Sequence, residues 1–240
     1  LCMPTEITET EKDALVKLGQ ELGVEDTRIE EEVKASAIGG GADIYVALGR
    51  MVIDIGGGTT DFGVLSLGDV VVSRSIKIAG EYFDKQITHY VKEKYNLEIG
   101  PQTAEKIKVA LASLRGEYPT DEEGNMLTYE AKGRDLVSGL PRKAVVKADE
   151  IREVLLKCFE LLKSVLISTL EIIPPELSGD LLDSGILVTG GSALIRGIKE
   201  YFEEISTLKV TVAATPVNAV IDGTKKLLKI NKKRYFGDYI

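Results

Sequence analysis

The sequence predicts an α/β fold, and three observations lead there. Apolar runs of strand length alternate with amphipathic runs of helix length along most of the chain. Two of the apolar runs, MVIDI at 51–55 and GILVT at 185–189, end in glycine turns. A single antiparallel meander, 51–77, sits inside that alternation rather than replacing it. Bulk properties agree. The 240 residues, 44% hydrophobic and 28% charged, can bury a sizeable core in one or two domains. A net charge of −8 disfavours nucleic acid as the main partner. No apolar run approaches the ~20 residues of a membrane-spanning helix, and no signal-peptide pattern opens the chain. Cys2 and Cys158 stand far apart without a metal-spaced neighbour, as expected in a reduced, cytoplasmic setting.

The elements follow in order. LCM at the start reads as the tail of a strand that Pro4 stops, so something upstream is expected. Thr8 and Glu11 have the spacing of a capping box for a helix over 9–22, with Ala14, Leu15, Leu18 and Leu22 on one face and Gly23 as its stop. A short strand is expected at 26–30 and a short helix at 31–38, closed by Gly39, Gly40 and Gly41. Strands at 51–55 and 61–67 are followed by a tight turn at Gly68-Asp69 into a third strand, 70–77. Helices are expected at 81–95 and 102–113. The polar stretch 114–135 carries at most a strand near 127–131, and 143–148 is another strand. A long helix at 149–171 stops before Pro174-Pro175. Strand 185–191, helix 194–204, strand 208–213 and helix 216–228 complete the chain.

MVIDIGGGTTD carries the chemistry. Glycines after a buried strand let backbone N–H groups approach an anion without interference from Cβ, and neighbouring threonine hydroxyls suit phosphate. The absence of Gly-Lys-Ser/Thr excludes a P-loop, and the strand that follows excludes a dinucleotide fingerprint. A β-hairpin whose turn holds phosphate remains, with Asp54 facing a divalent cation or its water shell. A glycine-rich hairpin without a ligand is the alternative. VTGGSALIRGI at 188–198 repeats the plan, with a helix start near Ala193 offering free N–H groups. The two turns look like two lips of one nucleotide cleft.

MVIDIGGGTTD, VVSRSIKIAG, YNLEIGPQTAEKIK, KGRDLVSGLPRKAVV and ILVTGGSALIRGI together resemble the MreB family of bacterial actin-like filament proteins. That family lies within the larger group of actin, sugar kinases and seventy-kilodalton heat-shock chaperones. The resemblance implies an actin-like ATPase fold, mainly its second domain with an inserted small subdomain, and with the first domain largely absent. Residues 1–48 would be a remnant of the first domain. Residues 49–95 and 160–215 would form the second-domain sheet and 96–159 the insert, while 216–240 would return to the first domain and end in a tail. It implies ATP or ADP with Mg²⁺ as ligands. Gly56, Gly57, Gly58, Thr59 and Thr60 match the second phosphate hairpin. Glu105 and Lys108 match adenosine-side contacts, and Gly190, Gly191, Ser192 and Ala193 match the adenine and ribose loop, with Ser192 where a third glycine is usual. Asp54 matches the aspartate that meets magnesium through water. Glu32 matches the glutamate that positions the attacking water, assisted by Thr59. The family's proline after that glutamate is Val33 here, and its glutamate at position 61 is Asp61. Nothing matches the family's first phosphate hairpin, so this chain is expected to hold half a cleft, bind nucleotide weakly and be inactive alone.

The implied function is a filament subunit with slow ATP hydrolysis, contributing to cell shape or motility from the inner face of the membrane. Self-association is expected to use the insert 96–159. A chaperone-type or small-molecule kinase ATPase, and a filament protein that binds nucleotide without turnover, are the alternatives. The tail adds a basic run of Lys225, Lys226, Lys229, Lys232, Lys233 and Arg234, followed by Tyr235, Phe236 and Tyr239. It is either a solvated helix end or a contact with anionic membrane.

Overall fold

Strand pairing on both sides of residues 50–55 organises the molecule. The computed structural model describes residues 1–5, 7–24 and 26–236, with side chains as far as Lys229. In chain order the elements are β1 (Cys2–Met3), α1 (Glu9–Glu21), β2 (Glu30–Glu31), α2 (Glu32–Gly39), β3 (Arg50–Ile55), β4 (Thr60–Ser66) and β5 (Asp69–Ile76). Then come α3 (Gly80–Tyr95), β6 (Leu97–Glu98), α4 (Pro101–Leu111), β7 (Thr128–Asp135), β8 (Pro141–Lys147), α5 (Ala148–Glu171) and α6 (Pro175–Ser184). β9 (Ile186–Thr189), α7 (Ile198–Ser206), β10 (Val210–Val212) and α8 (Ala219–Phe236) follow.

The main sheet has the order β10-β9-β3-β4-β5. β10, β9 and β3 run parallel, and β3, β4 and β5 form the antiparallel meander. The turn into β5 lies one residue earlier than expected, because Leu67 (φ 53°) and Gly68 (φ 87°) both take the left-handed conformation of a two-residue hairpin turn. One face of the sheet, with Met51, Ile53, Ile55 and Phe62, packs on α3, α5 and α7, where Phe83 and Phe159 stack at 5.3 Å between ring centroids. Cys158 belongs to this core. Val52 and Leu65 point the other way, into a second core with Val33, Ala35, Ile38 and Leu227 of α2 and α8.

α2 and α8 cross at near backbone contact. A Cβ on Gly39 would lie 1.7 Å from Ala219 O, and one on Gly223 would lie 1.8 Å from Ala35 O. Only glycine fits at these two crossing points.

Several expectations are corrected. The capping box of α1 forms as read, with Thr8 N donating to Glu11 Oε2 at 2.8 Å. Its apolar face, however, is not buried: Leu18 is 47% and Leu22 74% exposed. The strand expected at 26–30 is only Glu30–Glu31, held parallel to β1. α6 was not expected, because Pro174-Pro175 reads as a stop, yet Pro175 opens a new helix at the position where proline costs nothing. GRDLVSGLPR folds as a hairpin, so β7 and β8 are longer than expected and pair with β6 in a separate three-stranded sheet. The helix expected at 194–204 is broken. A 3-10 turn covers 191–194, and Gly197, at φ 74° and too close to Arg115 O for any Cβ, delays α7 to Ile198. The last helix runs to Phe236 rather than 228.

Gly223→Ala should therefore lower the unfolding temperature. The added methyl must push α8 from α2, at the ~1–3 kcal/mol typical of overpacking. Gly179→Ala on α6 meets nothing within 4 Å and should leave stability unchanged or raise it. Thermal unfolding of the two variants checks the difference.

Candidate functional site

Strand register builds the centre of the site. Asp54 pairs with Asp61 on β4 and with Thr189 on β9, so three polar residues lie side by side across buried strands. Asp54 is 5%, Asp61 1% and Thr189 0% exposed. They occupy the face covered by α2, whose first residue is Glu32. Burial pushes the Asp54 carboxyl up to about 7, and the neighbouring carboxylates of Asp61 and Glu32 push the same way. The nearby Thr189 hydroxyl opposes this. Neither Asp54 Oδ1 nor Thr189 Oγ1 has a hydrogen bond of acceptable geometry. Burial, with Asp61 beside it, also raises the Glu32 carboxyl. Among the described residues no three acidic, histidine or cysteine side chains are grouped closely enough to hold a metal directly. Asp54 Oδ1, buried and without a hydrogen-bond partner, fits a hydrated cation.

The two glycine turns meet above this row. Gly190, at φ 86°, leaves β9 so close to β3 that a Cβ would lie 2.3 Å from Ile55 O and 2.6 Å from Asp54 Oδ1. Gly190 N donates to Pro216 O at 3.0 Å. The first turn is closed by Gly56 N to Thr59 O, 3.0 Å, and is tied to the start of α3 by Gly80 N to Gly56 O, 3.1 Å, and Glu81 N to Gly57 O, 2.8 Å.

The glycines differ in what they need. Gly190 is required by its φ and its neighbours. Gly57, Gly58 and Gly191 have no left-handed φ, and a Cβ on any of them would meet nothing within 4 Å. Neither backbone strain nor packing demands glycine at these three places. Gly179 on α6 is equally free, so open space alone is ordinary. What distinguishes the three is that they lie on the two turns joined beside Asp54.

Other expected site residues fall less favourably. Thr60 is buried, and its hydroxyl donates to Ile78 O at 2.7 Å, so it anchors the hairpin rather than facing a ligand. Thr59 lines a cavity of about 680 Å³ with Pro4, Thr8, Glu11 and Lys77. Ser192 and Ala193 are buried, leaving Gly191 as the open part of the second turn. The helix-dipole expectation at Ala193 is corrected, because only a short 3-10 turn stands there. Glu105 is exposed on α4. Lys108 is half-buried, bonded to Asp84 Oδ2 at 2.9 Å and Gly80 O at 3.0 Å, which ties α4 to α3 just behind the first turn. Thr189 was missed. A threonine directly before a glycine turn in an otherwise apolar strand was the available signal. In the tail, Lys226 donates to Ile38 O at 2.9 Å and Lys225 pairs with Asp222. The side chains of Lys232, Lys233 and Arg234, and all of Tyr239, lie outside the described residues.

The family model described as MreB/Mbl protein matches residues 1–235. This chain belongs to the MreB/Mbl family. It is 41% identical over 228 residues to the cell shape-determining protein Mbl of Bacillus subtilis (strain 168), covering 95% of this chain and 67% of that one. It is 38% identical over 230 residues to the cell shape-determining protein MreB of Escherichia coli (strain K12), covering 96% and 65%. Among solved structures it superposes on MreB5 of Spiroplasma citri bound to AMPPNP with a TM-score of 0.92 at 45% identity, covering 98% of this chain and 68% of that one. The chain thus spans about two thirds of the length of these MreB/Mbl relatives, and its fold is the actin-like ATPase fold.

The raised Asp54 carboxyl sets a pH dependence. Its value in the fold, about 7, exceeds the ordinary 3.8, so the fold favours the protonated form. The associated stability is present below pH ~4 and is lost as pH rises through about 7. Between pH 4 and 8 the parent should lose up to roughly 4 kcal/mol relative to Asp54→Asn, at ~1.4 kcal/mol per unit. Urea unfolding of both proteins across this range checks it. A difference independent of pH would mean that Asp54 is already ionised.

Proposed function

We propose that this chain is the nucleotide-binding part of a bacterial actin-like cytoskeletal protein that binds ATP and ADP, hydrolyses ATP slowly, forms filaments and contributes to cell shape. The observation that carries this is the convergence of the three unrequired glycines, Gly57, Gly58 and Gly191, beside an orphaned buried carboxylate oxygen. The names of the relatives, and the AMPPNP and ADP held by the Spiroplasma citri structures, support it.

In this function the N–H groups of Gly56, Gly57 and Gly58 hold phosphate oxygens, with the Thr59 hydroxyl beside them. Gly190 and Gly191 give the nucleoside a backbone surface without side chains, and Ser192 and Ala193 support it from beneath. Glu105 and Lys108 border the adenosine side, Lys108 by exchanging its Asp84 and Gly80 contacts. Asp54 would hold a magnesium ion through its water shell, and that cation would supply neutralisation of the phosphate charge. Glu32 holds the attacking water and takes its proton, a role suited to a carboxyl whose pKa is raised. Catalysis is then mostly positioning and charge neutralisation.

Residues 1–48 and 216–240 belong in this proposal to the first actin-like domain, 49–95 and 160–215 to the second-domain sheet, and 96–159 to its insert. The protein works in the cytoplasm at the inner face of the membrane. Among the described residues no helix is long and apolar enough to cross it. The run from Lys225 to Arg234 is the candidate surface contact, with Lys229 its freest described member and Lys226 already committed to α2.

Gly57→Val and Gly191→Val each fill open space, so both should keep their unfolding temperature and lose ATP affinity by about tenfold or more, roughly 1.4 kcal/mol. Titration with ATP reads the affinity, and parental binding by both variants would overturn the cleft. Glu32→Gln should keep ATP binding and cut phosphate release by ~10²-fold. Unchanged release would remove Glu32 from the chemistry.

A further inference from the structure

Thr189 is a buried polar side chain of the site to which the proposed chemistry gives no work. It is the last residue of β9, and strand pairing sets it beside Asp54 of β3. Its side chain is wholly enclosed, and its hydroxyl oxygen has no hydrogen-bond partner. A buried hydroxyl in that state calls for an explanation, because it has lost its water and gained nothing in return.

Packing fixes which way this side chain stands. Threonine is branched at Cβ, so a single rotation places both its methyl and its hydroxyl. The methyl lies under the end of α2: a Cβ on Gly40 would be 3.1 Å from Thr189 Cγ2. The hydroxyl is the other branch, and it stands close to the Asp54 carboxyl.

Asp54 has the matching need. Its Oδ1 is buried and accepts no hydrogen bond. Its partner on β4 is Asp61, and Glu32 opens α2 over the same face. Both are carboxylates, which repel an ionised Asp54 and, when ionised themselves, have nothing to donate. Gly190, the next residue after Thr189, brings no side chain and spends its N–H on Pro216 O. In the row of three polar residues across β4, β3 and β9, the Thr189 hydroxyl is therefore the neutral donor.

We propose that Thr189 is a positioning residue for Asp54: its hydroxyl donates to Asp54 Oδ1 and so fixes the rotation of the carboxylate that would hold the magnesium water shell. A hydrogen bond to a charged oxygen is a strong one, and it stops the carboxylate from turning about its last bond. Groups that hold metal ions are commonly oriented in this way, by a hydrogen bond from behind. The same bond lowers the cost of ionising Asp54 between two other carboxylates. This rests on the reading of Asp54 as the magnesium-facing group and adds the residue that orients it.

Two substitutions test it. Thr189→Val keeps the branched shape and the methyl under Gly40 but removes the donor. Thr189→Ser keeps the donor and removes the methyl. The quantity to read is the gain in ATP affinity on adding Mg²⁺, from titrations of the full chain with ATP in Mg²⁺ and in EDTA. A change of packing alone shifts both affinities and leaves their ratio at the parental value. The valine variant is expected to lose about tenfold of the gain, the size of one charge-assisted hydrogen bond, and the serine variant to keep most of it. On an Asp54→Asn background, Thr189→Val should reduce the gain no further, because the group it orients is gone. A parental ratio in the valine variant, equal losses in valine and serine, or an additive loss with Asp54→Asn overturns the assignment. If the parent itself gains no affinity with Mg²⁺, the reading of Asp54 falls and this inference with it, which separates that failure from one of Thr189 alone.

Discussion

The close approach of Gly190 to the end of β3 is the constraint on which the site depends. The β9 backbone must pass within van der Waals reach of Ile55 O and Asp54, and only glycine at positive φ permits this. That approach joins the two glycine turns. It also brings Thr189 into register with Asp54 and closes the Asp54 carboxyl from water. A larger residue at 190 would separate the turns and open the carboxylate row together, because one contact sets both.

The carboxylate row would be costly if it were simply charged. Asp54, Asp61 and Glu32 lie close enough for their charges to repel, and the interior screens them poorly. The structure accommodates this through a raised pKa at Asp54 and at Glu32, the protonated form being cheaper to bury. Thr5 N approaches Asp61 Oδ1 at 3.4 Å, a weak compensation. A buried group whose charge is tolerated only conditionally is well placed to respond to a cation. The α2–α8 crossing holds the remaining wall, since it sets where Glu32 stands relative to β3 and β4.

α3 links this centre to the outer parts of the molecule. Its first amides bond the carbonyls of Gly56 and Gly57, and its left-handed cap at Asn96 sends the chain into β6 and so to the β7–β8 tip. Phe83 stacked on Phe159 fixes α3 against α5. The first glycine turn and the β7–β8 hairpin are thereby held in one frame by ordinary helix packing. α1 contrasts with this. Its apolar residues line open cavities of about 550 and 680 Å³ rather than a core.

Local chemistry made much of this legible. The capping box of α1, the β3–β4 glycine hairpin, the meander, and the amphipathic faces of α3 and α5 follow from residue type and spacing, which act over a few positions. The motifs that resemble the MreB family lie in those same stretches. What the sequence determined alone was therefore most of the elements, the two glycine turns and the carboxylate beside them. Tertiary structure decided which of these residues do which work. Gly190 and Gly191 are identical letters, but one is crowded by β3 and the other faces open space. Thr59 and Thr60 are likewise alike, and strand alternation turns Thr60 inward to Ile78. Pro175 and Gly197 act as a helix start and a helix delay because of what surrounds them. The apolar stripe of α1 was visible, but its exposure was not. Burial and register come from pairing between segments far apart in the chain, and no local pattern carries that information.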